Sequence, residues 1–314
     1  YELLYSIRVY TEWRNLWRGD RANTQVLMNI LKEKELIPMI YKLDKKDYQK
    51  VRALLRTPEQ KNDLMLNAII NGTNKGAIYV DNIEQPQTAL VDETGVISIF
   101  IGDAANEKFI HPLREFIDNQ LKIDTYESCG GTYFLALIPD ENWEKVMKKV
   151  VSHREYEWDY EHYFQFNREK FNALKSGYKP LPKGYTIKKI DAEVINNDSD
   201  KIIFNVLDEF WYSVDDFLQQ GLGYCVLKGD KIISACLTCC VNGKDHEISV
   251  ETYDEEEMNK GLATLVCAAY LEHCMENGLT PHWSTLETNV ESNRLGEKLG
   301  FEFKSKCKTL EFEF

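Results

Sequence analysis

Long apolar runs are missing from this chain. None approaches the ~20 residues that a membrane-spanning helix needs, and no charged-then-apolar stretch opens it as a secretory signal would. A cytoplasmic protein with no membrane partner is the expectation. The chain begins with Tyr1 rather than Met, so its natural start is expected upstream. A basic excess is also missing. Lys and Arg number 38 against 51 Asp and Glu, a net charge of −13. Such a chain repels phosphate backbones, so nucleic acid is not an expected partner. The same field favours cationic small molecules. Of the eight cysteines, only Cys236 and Cys239 have Cys-x-x-Cys spacing. A zinc site needs a second pair, and a thioredoxin motif needs a strand-to-helix turn. Cys236 and Cys239 lie on an alternating strand, so reduced structural thiols and no metal are expected. Proline is scarce at 8 residues, which gives the close pair Pro180 and Pro182 weight as a boundary.

What is present fits an ordinary globular protein. The chain has 314 residues, 43% hydrophobic and 12% aromatic. That is long enough for two cores. Residues 1–40 read as a helical extension with Trp13 and Trp17 four apart, suited to docking on the molecule or on a second copy in a homodimer. Residues 41–180 read as an α+β domain with an antiparallel sheet. Helices are expected over Leu43–Leu55 with Asp44 as N-cap, over Lys61–Asn71, Asn106–Leu121 and Asp140–Val150. Strands are expected at Gly76–Asp81, Thr88–Asp92, Val96–Gly102, Thr132–Ile138 and Glu155–Phe166.

Residues 181–314 read as a second domain. Its meander, Tyr224–Leu227, Lys231–Val241 and His246–Thr252, is punctuated by Gly229-Asp230 and Asn242-Gly243 hairpin turns. The helix Lys201–Tyr212 is expected to carry Trp211. A long apolar helix follows from Leu262, then a strand over Pro281–Glu287, a short helix and a final strand. Met258-Asn259-Lys260-Gly261-Leu262-Ala263 joins the meander to the long helix. A Gly-x-Ala turn there frees several backbone N–H groups at a positive helix end, which suits a pyrophosphate.

Five segments in order carry a family resemblance: Gly221-Leu222-Gly223-Tyr224-Cys225, Glu247-Ile248-Ser249-Val250-Glu251-Thr252, Lys260-Gly261-Leu262-Ala263-Thr264, Gly278-Leu279-Thr280-Pro281-His282-Trp283 and Glu297-Lys298-Leu299-Gly300-Phe301. Together they resemble the GCN5-related N-acetyltransferase (GNAT) superfamily, and within it the subfamily of zwittermicin A resistance proteins. Tyr79-Val80-Asp81-Asn82 and Gly102-Asp103 are similar to that subfamily's first half. The resemblance implies an α+β GNAT fold in the C-terminal half, a mixed and mostly antiparallel twisted sheet flanked by helices. It implies a degenerate GNAT-like first half without a pyrophosphate turn.

The implied co-substrate is acetyl-CoA, lying in a V between two splayed strands. The implied contacts are the backbone of Val250 and Thr252 to pantetheine, the amides of Asn259, Lys260, Gly261, Leu262, Ala263 and Thr264 to pyrophosphate, and Asn289 and Ser292 on the far wall. Glu247 aligns with a catalytic glutamate of some members and is the expected base, with Glu251 second. Acetylating an alkylammonium of pKa ~10 requires such a base. Both glutamates also read as solvated charges on an open face, and Asn289 also reads as a plain helix cap.

Two positions depart from the family. Met258 stands where Arg or Gln usually opens the turn, with Lys260 as the expected compensation. Gly296 stands where many members place a tyrosine that protonates the leaving thiolate. Solvent, Ser292 or a nearby tyrosine must then serve. The implied activity is acetyl transfer from acetyl-CoA to a primary amine of a small molecule. The alternative is a non-catalytic acyl-CoA-binding or protein-interaction module. Trp211, Tyr212 and one of Cys239 and Cys240 are further acceptor-side candidates. His246 and His282 read as structural.

Overall fold

The computed structural model describes residues 39–314. The helix expected over residues 1–40, with Trp13 and Trp17, lies almost entirely outside them. Twelve strands form one sheet: β1 (Tyr41–Lys42), β2 (Ala77–Val80), β3 (Thr88–Glu93), β4 (Ile97–Gly102), β5 (Tyr133–Ile138), β6 (Glu157–Phe166), β7 (Tyr185–Lys189), β8 (Gly223–Lys228), β9 (Lys231–Asn242), β10 (Asp245–Thr252), β11 (Thr280–Leu286) and β12 (Phe301–Glu313). Their spatial order is β1-β2-β3-β4-β5-β12-β6-β11-β10-β9-β8-β7.

The sheet repeats one pattern twice. An antiparallel meander (β2-β3-β4, then β8-β9-β10) is followed by a helix and a parallel strand. The parallel pairs are short in both halves, Ser98–Ile99 with Ala136–Leu137 and Asp245–Glu247 with Thr280–His282. The halves are then interleaved. β12, the last strand, inserts between β5 and β6 and pairs with both, while β6 pairs onward with β11. Each half's sheet is completed by a strand from the other.

The sheet is also strongly curled. β3 and β9 are seven strand spacings apart in the order, roughly 34 Å in a flat sheet. Yet Glu93 at the end of β3 accepts a hydrogen bond from the Cys240 thiol of β9 at 2.6 Å. The concave face so made holds a short helix, Leu64–Ile70, which packs against β9 and β10.

The helices, in chain order, are α1 (Pro58–Asn62), α2 (Leu64–Ile70), α3 (Glu107–Glu115), α4 (Lys122–Cys129), α5 (Glu141–Val150), α6 (Arg168–Lys175), α7 (Ala192–Asn197), α8 (Ile202–Phe210), α9 (Val214–Gln220), α10 (Leu262–Asn277) and α11 (Val290–Lys298). Local chemistry starts several of them. The Asp140 carboxylate accepts the amides of Asn142 and Trp143, and α5 then buries Trp143, Met147 and Val150 at helical spacing.

Some expected elements differ. Lys45–Leu54 winds as a 3₁₀ helix, and Asp44 makes no side-chain cap. The helix expected over Lys61–Asn71 is two, broken at Asp63, whose carboxylate caps α2 through the Leu66 amide. α8 stops at Phe210, and Trp211 is extended. α6 and α7, capped by Asn167 and Asp191, lie outside the expected elements.

One buried side chain helps fasten the first half to β9, beside the Glu93–Cys240 contact and the packing of α2. Asn74, 0% exposed, donates to the Cys239 and Phe210 carbonyls and accepts from the Val241 amide. Removing it takes that partner from the Cys239 carbonyl and the Val241 amide, while the Phe210 carbonyl keeps the Lys75 amide. Asn74→Ala is expected to destabilise the protein by about 2–4 kcal/mol, read as a lower urea midpoint at unchanged slope.

Candidate active site

β10 and β11 pair only through Glu247 and His282 and then separate. Beyond that point β10 continues against β9 alone and β11 against β6 alone. A wedge with one free strand edge on each side results. The Tyr253 amide donates to the Ile233 carbonyl of β9. Antiparallel strands alternate which edge their amides face, so Ser249 and Glu251 bond toward β9. The N–H and C=O groups of Val250 and Thr252 therefore face the wedge. The Thr252 hydroxyl is held by the Ser234 hydroxyl at 3.1 Å.

At the mouth of the wedge the chain turns into α10. Asn259 (φ 62) and Gly261 (φ 83) both take left-handed backbone angles. Only glycine adopts that region without cost, and nothing lies within 4 Å of a Cβ built on Gly261. Gly261 is the N-cap of α10 and caps nothing with a side chain. The first helical bond beyond the cap runs from the Leu265 amide to the Gly261 carbonyl. No acceptor among the described residues meets the amides of Asn259, Lys260, Gly261, Leu262, Ala263 or Thr264. A 16-residue helix thus opens on a run of free N–H groups, an arrangement suited to phosphate oxygens.

The corresponding turn before α3 is different. There Asp103 and Asn106 accept the amides of Ala105 and Lys108 with their own side chains. The first half fills its own nest.

Lys260 does not stand free to replace the family's Arg or Gln. Its ammonium pairs with Glu257 at 2.7 Å, and Lys228 pairs with the same carboxylate at 2.6 Å. Lys228, Lys260 and the Tyr185 hydroxyl hold the Glu257 carboxyl low, at about 2. Two cations on one anion leave one positive charge beside the turn. Met258 is exposed.

On the far wall, Asn289 caps α11 through the Ser292 amide at 3.1 Å, so its side-chain oxygen is engaged as a cap. Ser292 lies half-buried in the first turn of α11. Gly296 packs on Trp283 of β11; a Cβ there would sit 3.1 Å from Trp283 Nε1. A tyrosine at 296 has no room unless Trp283 moves.

Glu247 sits on the concave side of the wedge, where the Ser284 hydroxyl donates to its Oε1 at 3.0 Å. Burial pushes its carboxyl up to about 8, with Glu161 and Glu93 adding repulsion and Ser284 pulling the other way. A base working near neutral pH needs such a value. Glu251 is exposed and belongs to no such enclosure.

The enclosure's other acids were not anticipated. Glu161 of β6 is 8% exposed and Glu93 is 9% exposed. Burial raises both carboxyls to about 7, and that of Asp63 to about 6. A visible hint lay in β6, where Asp159, Glu161 and Tyr163 share one face by alternation.

A bulge in the β9–β10 ladder at Glu247/Ile248 also relaxes strict alternation. Cys240 reaches Glu93 while Cys239 Sγ lies 3.6 Å from the Glu247 carbonyl, so both adjacent thiols approach this enclosure. All eight cysteines are free.

Trp211 is core: it is fully buried, and its indole N–H donates to the Thr238 carbonyl. Tyr212 is 38% exposed and lies under the Lys45 ammonium. His246 is buried against the Thr238 hydroxyl, and His282 pairs with Asp245 at 2.9 Å. Both are structural contacts.

A family profile described as GNAT acetyltransferase matches residues 52–310, most of the chain and both halves of the sheet. The chain belongs to the GNAT acetyltransferase family. It is therefore a transferase, and acetyl transfer is its general chemistry. It is 26% identical over 268 residues to the uncharacterized N-acetyltransferase YdfB of Bacillus subtilis (strain 168), covering 84% of this chain and 95% of that protein. Among solved structures it resembles a GCN5-related N-acetyltransferase-like protein from Streptococcus suis 89/1591, with a TM-score of 0.63 and 20% identity over 85% of this chain and 98% of that one. It also resembles a tandem GNAT protein from the clavulanic acid biosynthesis pathway, with a TM-score of 0.53 and 11% identity over 88% and 98% of the two chains. These two likenesses concern the fold, and the tandem layout fits the repeated pattern of this GNAT sheet. No helix among the described residues is long and apolar enough to cross a membrane.

Proposed function

We propose that this GNAT protein is a cytoplasmic enzyme that moves an acetyl group from acetyl-CoA directly to a primary amine of a small molecule. The observation that carries the reading is the pairing of a free-amide turn at 259–264 with a half-buried, Ser284-bonded Glu247 across one strand wedge. In this reading the turn amides hold the diphosphate, and Lys228 and Lys260 supply the residual positive charge. The wedge edges of Val250 and Thr252 bond the pantetheine arm. Asn289 and Ser292 border its other side. Free strand amides also polarise the thioester carbonyl as oxyanion donors do.

Glu247 takes the proton from the acceptor ammonium. The neutral amine attacks the thioester carbon, the C–S bond breaks, and solvent protonates the thiolate, since Gly296 offers no acid. Residues 41–180 and 181–314 form two GNAT-like domains, and only the second holds the co-substrate.

Mixing protein, acetyl-CoA and a panel of primary amines while following free thiol tests the reading. Amine-dependent release that saturates in both substrates is expected. CoA binding with no release across a broad panel would leave a binding module instead.

A further inference from the structure

A cleft of about 440 Å³ lies at the opposite end of α10 from the 259–264 turn. Its volume falls in the range of small-molecule sites. Lys189 of β7, Gln219 and Gln220 of α9, His246 of β10, and His273 and Asn277 of α10 border it. No Asp or Glu lines it among the described residues, although the chain carries a net charge of −13. The proposed reaction makes no use of it.

One lining group is buried and has an unpartnered nitrogen. His246 is 3% exposed, and burial holds its imidazole down at about 4, so the ring is neutral and carries one proton. Its Nδ1 meets the Thr238 hydroxyl at 3.0 Å. The same hydroxyl lies 2.7 Å from that of Tyr270 and 3.2 Å from the Leu222 amide. Tyr270 is fully buried, and its hydroxyl has no other oxygen or nitrogen partner. The Leu222 carbonyl, 3.2 Å from the Thr238 hydroxyl, already accepts the Thr238 amide at 2.8 Å. Thr238 therefore accepts from Tyr270 and from the Leu222 amide, and its one proton goes to Nδ1. A proton on Nδ1 instead would crowd a third donor onto two lone pairs, or leave the Tyr270 proton without an oxygen or nitrogen. The His246 proton so falls on Nε2, which meets no acceptor among the described residues and stays open to the cleft.

A cation borders the same cleft. Lys228 and Lys231 pair with Glu257 and Asp254, whereas Lys189 makes no ion pair among the described residues. Lys189 lies near enough to His273 to lower its imidazole further, after burial. The Tyr224 hydroxyl holds His273 Nδ1 at 3.1 Å. An ammonium, an aimed N–H and the side-chain amides of Gln219 and Gln220, with no carboxylate among them, match the oxygens of an anion. The C-terminal ends of α9 and α10 oppose an anion there, but by less than one charged hydrogen bond favours it.

We propose that this cleft is a second ligand site, which takes a small organic oxyanion, a carboxylate or a phosphate ester, held by the Lys189 ammonium and the His246 Nε2–H. The site is separate from the turn at 259–264. The inference does not rest on the acetyltransfer reading, and a failure of that reading leaves it standing.

The test titrates the full chain, isotope-labelled on its histidine nitrogens, with succinate, glycerol phosphate and inorganic phosphate, and with glycerol as the uncharged control. Before any ligand, the nitrogen spectrum of His246 is expected to show a protonated Nε2 and a bare Nδ1. At least one anion is expected to saturate and to move the Nε2 signal, while glycerol moves nothing. Binding of succinate alone or of the phosphates alone would each sustain the site and name its chemistry. Lys189→Glu, on an exposed side chain, is expected to weaken binding by ~10-fold or more, the size of a charged hydrogen bond. Gly261→Val is expected to leave it unchanged. A His246 proton on Nδ1, no saturation by any of these anions at tens of millimolar, or an affinity that survives K189E would overturn the inference. So would an affinity lost in G261V and kept in K189E, which would put the anion at the turn.

Discussion

Glu247→Gln is expected to lower kcat by ~10²- to 10⁴-fold while CoA affinity changes little, because the carboxylate does its work on a proton and not on the co-substrate. The pH profile carries the sharper signature. Glu247 accepts a proton only when ionised, and burial raises its carboxyl to about 8. Log kcat/KM for the wild-type protein should therefore rise with a slope near one up to about pH 8, then bend. Below that pH the base is protonated and idle; above it the base is ready. Glu93 and Glu161, raised to about 7, titrate beside it, so the bend belongs to the cluster as a whole. In E247Q the limb near pH 8 should vanish. What remains is the slower rise set by the acceptor's own amine, with its pKa of ~10. An unchanged limb in that variant would assign the base elsewhere.

Gly261→Val should have the second largest effect, and on binding rather than chemistry. The position holds φ 83, which a β-branched residue adopts only under strain. The space around it is open, so the free protein pays mainly that strain, ~1–2 kcal/mol. The new side chain projects over the amides of residues 259–264. CoA affinity is expected to fall by ~10²-fold or more, while the melting temperature drops by only a few degrees. Titration calorimetry and a thermal melt on the same sample separate the two. A large loss of fold with unchanged affinity in the surviving protein would place the diphosphate elsewhere.

The sequence was most readable where chemistry is local. Asn242-Gly243 and Gly229-Asp230 announced the meander, Asp140 and Asn106 announced their helices, and Gly261 announced the turn. Each signal acts through a backbone angle or a cap within a few residues. Glu247 entered as a candidate only through the family resemblance, which aligns it with a catalytic glutamate; alternation alone put it on one face with Ser249 and Glu251. What stayed hidden depends on distant parts of the chain. Nothing in Phe301–Glu313 says that it inserts between β5 and β6, because both partner strands lie far away in the sequence. The curl that brings Glu93 to Cys240 is a property of the whole sheet. With it came the unanticipated acids Asp63, Glu93 and Glu161. The break at Asp63, by contrast, was legible. Asn62 and Asp63 are weak helix formers and common caps, and the Asp63 carboxylate caps α2 through the Leu66 amide.

Titrating the wild-type protein with CoA and, separately, with pantetheine, which lacks the diphosphate and nucleotide, addresses the grip at 259–264 most directly. The expected outcome is saturable heat with CoA that weakens as salt is raised, and little with pantetheine at the same concentration. Silence from CoA at millimolar levels, or pantetheine binding as tightly as CoA, would contradict it.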